Sequence, residues 1–64
     1  MADRITIDEF HLTLEVPRDL PEEECEAIRR TLDDARFQAL LERAARRVCR
    51  RQRSLRKVRV RLSR

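Results

Sequence analysis

The sharpest pattern of apolar and polar positions lies between Asp34 and Arg51, DARFQALLERAARRVCRR. At about 100° per residue, Phe37, Leu40, Leu41, Ala44, Ala45 and Val48 fall on one face of a helix. The opposite face is almost wholly arginine: Arg36, Arg43, Arg46, Arg47, Arg50 and, if the helix runs on, Arg53. Ala, Leu, Arg, Gln and Glu favour the helix, and no Gly or Pro interrupts them. The pattern predicts a single element with a core-facing stripe and a cationic ridge.

Two stretches alternate with a period of two instead. In residues 4–16, RITIDEFHLTLEV, Ile5 and Ile7 share one parity, whereas Phe10, Leu12, Leu14 and Val16 share the other. The phase change at Asp8-Glu9 suits a β-bulge better than a turn, because two residues without Gly or Asn make a poor hairpin. On this reading Phe10, Leu12, Leu14 and Val16 face the core, while His11, Thr13 and Glu15 face out. Near the other end, LRKVRVRL alternates strictly, with Val58, Val60 and Leu62 opposed to Lys57, Arg59 and Arg61. That is the pattern of a half-buried strand with a cationic outer face.

Between the two stretches, Pro17-Arg18-Asp19-Leu20-Pro21 reads as a punctuated loop. Asp19 and Glu22 have the spacing of a capping box, and Pro21 suits a first helical turn. A first helix is expected from Pro21 to Leu32, burying Cys25, Ile28 and Leu32, with its acidic start matched to the helix dipole. Asp33 or Asp34 caps the second helix, although one bent helix through both segments is an alternative. The expected fold class is α+β: a small β-α-α-β domain over residues 1–64, two helices packed on a short sheet. Two strands make a poor sheet, so completion by dimerisation is expected; alternatively, the basic residues of the last strand guard an open edge.

Composition narrows the function classes. Sixty-four residues with two cysteines and a single histidine offer neither a large core nor a metal-ligand set of the usual spacing. MADRITIDEF has no signal-peptide pattern, and no apolar run approaches the ~20 residues of a membrane span. A cytoplasmic protein with reduced thiols follows, Cys25 and Cys49 acting as small hydrophobes, though side-by-side helices would let them pair. The absence of glycine excludes every Gly-based phosphate loop. His11 has no identifiable nucleophile or orienting group beside it, and consecutive carboxylates such as Glu22–Glu24 point different ways along a helix. No catalysis, cofactor or metal is expected.

Charge changes the picture most. Residues 1–42 hold twelve acids and five arginines, a balance of −7, whereas residues 43–64 hold ten arginines, one lysine and no acid, a balance of +11. Such segregation points to an anionic partner. Nucleic acid is the first expectation, held at its phosphates by Arg43, Arg46, Arg47, Arg50, Arg53, Lys57, Arg59 and Arg61, because the guanidinium fork matches phosphate oxygens. With Phe10 and Phe37 wanted in the core, no base-stacking platform is evident, and few side chains suit base reading. No helix-turn-helix, zinc-finger or RNA-recognition signature is present. The alternative is a protein-protein adaptor, or a small subunit of a larger assembly. Its charges would serve self-association or an acidic partner. A separate reading has the positive half answering the negative half, within the fold or across a dimer, with Glu9 and Glu15 opposite Lys57, Arg59 or Arg61 as cross-strand pairs. Membrane binding is the weakest reading, since the apolar stripe is rich in Ala and needed inside.

Overall fold

The computed structural model describes residues 4–64; residues 1–3, which entered the reading of the N-terminus, lie outside it. Two α-helices, α1 (Glu22–Asp33) and α2 (Ala35–Arg50), are followed by a single 3-10 turn at Arg53–Leu55. An arm without regular secondary structure, residues 4–16, precedes them, and a tail of the same kind, residues 58–64, follows.

Both helices form where the periodicity places them. Pro21 stands at the start of α1, its carbonyl accepting from the amides of Glu24 and Cys25. Glu22, Glu23 and Glu24 occupy the first turn, where carboxylates complement the positive end of the helix dipole. The expected Asp19–Glu22 capping box does not form: no side chain caps α1, and Glu22 instead pairs with Arg29 at 3.1 Å. That contact, first by hydrogen bond and then by charge, holds the Arg29 guanidinium above its ordinary pKa.

The break between the helices is one residue wide. Asp34 leaves helical geometry at φ −73°, ψ 122°, and its carboxylate accepts the Arg36 amide at 2.8 Å, capping α2. The last carbonyls of a helix lack intrahelical donors. Here the Leu32 carbonyl takes Gln38 Nε2 at 2.8 Å and an Arg64 guanidinium nitrogen at 3.1 Å. Two helices therefore replace the single bent helix, and the end of the tail is tied to their junction.

The sheet is the principal correction. Among the described residues there is no strand, so the chain is not α+β. The arm and the tail have no regular secondary structure, and no backbone ladder joins them. The one hydrogen bond from the arm toward the tail runs from the Arg4 guanidinium to the Lys57 carbonyl, 3.1 Å. Alternation suits an extended backbone, but a strand also needs a neighbour aligned along its length. Leu55 is diverted into the 3-10 turn, whose end is closed by Val58 N–H donating to Leu55 O. With no ladder, the bulge at Asp8-Glu9 has no meaning; Asp8 simply accepts the Glu9 amide at 2.8 Å. Glu9 and Glu15 join none of the described ion pairs, so the expected cross-strand pairing with Lys57, Arg59 or Arg61 is absent. Without a sheet there is also no edge for dimerisation to complete or for those cations to guard.

Burial is shallow throughout. Among the described residues none is fully buried; Leu20, Cys25, Leu32, Phe37, Leu41, Cys49, Leu55 and Val60 are half-buried. Both cysteines are free. Phe10, Leu12, Leu14 and Val16, expected in the core, lie 96%, 65%, 59% and 50% exposed. The stripe of α2 is split. Phe37 and Leu41 turn inward with Gln38, Glu42 and Cys49, whereas Leu40, Ala44, Ala45 and Val48 stay open to solvent. The radius of gyration is 15.4 Å, against about 11 Å for a compact domain of this length.

Candidate anion-binding site

Arginine is placed on α2 by the same periodicity that turns Phe37 and Leu41 inward. Arg43, Arg46, Arg47 and Arg50 are three or four residues apart and so occupy neighbouring rows of one face. Together they line one shallow recess. A second, of about 350 Å³, lies on the far side of Arg46 and Arg50 and is assembled from four separate parts of the chain. The arm contributes Arg4, α2 contributes Arg46, Cys49 and Arg50, the turn contributes Leu55 and Arg56, and the tail contributes Val58, Arg59 and Val60. Five arginines line it, and no acidic residue does. Arg46 and Arg50 belong to both recesses, which makes one continuous cationic surface.

The tail is held in place by Glu42, the last acid of the sequence. Its carboxylate accepts Arg46 at 2.6 Å and the Leu62 amide at 3.2 Å. At the far end, Arg64 pairs with Asp33. These contacts tie the tail to α2 and to the junction of the helices, and Arg59 lines the same recess as Arg50. Arg4 arrives through its bond to the Lys57 carbonyl.

Two of the eleven cations of residues 43–64, Arg46 and Arg64, meet a carboxylate in the described ion pairs. The other nine have no acidic partner among the described residues. Direct pairing between the two charged halves is thus confined, among the described residues, to Arg46 with Glu42 and Arg64 with Asp33 where these cations are concerned.

Of the eight residues expected to bind an anion, Arg43, Arg46, Arg47, Arg50 and Arg59 line the recesses. Arg53, Lys57 and Arg61 do not; Arg53 and Lys57 contribute main-chain carbonyls, to the Arg56 amide and to Arg4 respectively. Two lining residues were missed. Arg56 shares its parity with Val58, Val60 and Leu62 and not with Lys57, Arg59 and Arg61, so the alternation gives no cue to it. Arg4 is separated from the tail by most of the chain, and nothing local signals their meeting.

Among the described residues no group of His, Cys, Asp and Glu could hold a metal ion. His11 is exposed on the arm. No described helix is long and apolar enough to cross a membrane. Comparison with known proteins finds no matching family model, no significantly similar curated sequence and no significantly similar solved structure.

Proposed function

We propose that the protein is a non-enzymatic binding module that holds nucleic acid by its phosphate backbone, acting in the cytoplasm. The observation that carries this reading is the recess lined by Arg4, Arg46, Arg50, Arg56 and Arg59, with no acid among its lining residues. Crowded like charges repel one another, and a polyanion relieves that repulsion while releasing its own counterions. A guanidinium donates paired hydrogen bonds suited to phosphate oxygens. The recess is shallow and open rather than an apolar cleft, the form expected of a site for an extended polymer, not a small enclosed ligand. Contact with phosphates alone gives affinity with little sequence preference.

The test is fluorescence anisotropy with labelled duplex DNA, single-stranded DNA and duplex RNA across a salt series. Affinity should fall linearly on a log–log plot, with a slope of about −0.9 per phosphate neutralised on duplex DNA. The variant Arg50→Glu with Arg59→Glu should abolish binding while leaving the helical circular dichroism intact, since neither residue has a described ion-pair partner. Arg46 is unsuited to this test because it is bound to Glu42. No binding to any of the three polymers at low salt would refute the reading and favour an acidic protein partner.

A further inference from the structure

The molecule exposes about 7,035 Å², against roughly 4,300 Å² for a folded monomer of its mass. The excess is more than three times the ~800 Å² that each partner contributes to a standard interface. The most exposed large apolar side chains are concentrated in the arm, with Ile5, Ile7, Phe10, Leu12, Leu14 and Val16, and on the open stripe of α2, with Leu40 and Val48 beside Ala44.

We infer that the arm of one copy docks on the open α2 stripe of a second copy, and reciprocally, to form a symmetric dimer. Spacing supports the match. Alternate side chains of an extended chain recur every ~6.6 Å, and residues i and i+4 of a helix every ~6 Å. An arm docked in extended form therefore sets Phe10, Leu12 and Leu14 nearly in step with Leu40, Ala44 and Val48. Charge supports it as well. Residues 4–16 carry a net −2, through Asp8, Glu9 and Glu15 against Arg4. On the helical wheel Arg36, Arg43 and Arg47 border one side of the stripe, and no acid within α2 lies beside it. The arm is held near both ends, by Arg4 at the Lys57 carbonyl and by the turn in which Leu20 N–H donates to Pro17 O. Less freedom is lost on docking an arm already held in this way. One row of its side chains enters the contact, while its main chain stays at the wet rim and keeps water as its hydrogen-bond partner. The two-way contact makes the interface isologous, so it closes at two copies. The five-arginine recess lies on another side of α2 and stays open.

The experiment uses native mass spectrometry and light scattering on the full chain. The wild type should run at twice its 7.7 kDa. Phe10→Asp with Leu12→Asp, and separately Leu40→Asp with Val48→Asp, should each be monomeric with helical circular dichroism retained, because all four positions are exposed within one copy. Mixing the two variants should restore a heterodimer, since one has an intact stripe and the other an intact arm. A wild type at 7.7 kDa overturns the proposal, whatever else the arm contacts. A dimer in which mixing restores nothing overturns the arm-on-stripe arrangement and favours stripe packing on stripe.

Discussion

Glu42 shows how much a single residue arranges. The acids of the sequence stop there, and the structure gives that boundary a purpose: one carboxylate orients Arg46 and fastens the tail at Leu62. A hydrogen bond to a charged acceptor contributes about 1.5–3 kcal/mol when well shielded, and less at a half-open position such as this. Glu42→Ala is expected to cost about 1 kcal/mol in urea unfolding and to speed exchange of the Leu62 amide. Unchanged exchange would mean that the tail is held by something else. Among the arginines, position matters more than charge count. Arg50→Ala should flatten the salt slope of nucleic-acid binding by about one unit, and Arg53→Ala, outside both recesses, should change it much less. Equal effects would reduce the site to a diffuse field.

At the scale of elements, the helices are robust and the flanking segments are conditional. A helix satisfies its own backbone from within, so periodicity, helix formers and one cap suffice to define it. Asp34 supplies that cap, and Asp34→Ala should cost about 0.5–2 kcal/mol, with Asp34→Asn nearly neutral, measured by circular dichroism in urea. If both cost the same, the carboxylate's charge and not its cap bond is what counts. The arm and the tail carry equally regular patterns, yet each lacks a neighbour. The parity that assigned Phe10, Leu12, Leu14 and Val16 to the core-facing side of a strand is followed by neither a strand nor burial. It has no bearing on what lies opposite.

For the whole molecule, two imbalances dominate: unburied apolar surface and uncompensated positive charge. An unfolded chain of this mass exposes roughly 11,200 Å², so folding hides little more than a third of it, well below the ~60% of a 60-residue domain. Nine cations of the C-terminal third without described acidic partners repel one another, which opposes compaction. Inorganic phosphate, binding the folded recess, should therefore raise the melting temperature more than chloride at equal ionic strength. Equal effects of the two salts would indicate screening alone.

The sequence by itself determined the two helical segments and the arginine face of α2, and it narrowed a break between them to Asp33 or Asp34. Each of these is local: it depends on residues a few positions apart, whose spacing decides which side of an element they share. Tertiary structure alone decided that the flanks form no sheet and that only Phe37 and Leu41 of the α2 stripe turn inward with the polar edge of the helix. It also decided that Arg4 and Arg56 join Arg46, Arg50 and Arg59. Those outcomes rest on contacts between residues as far apart as Arg4 and Lys57 or Leu32 and Arg64. No period in a sequence encodes such a contact, because it depends on where the intervening helices carry the chain.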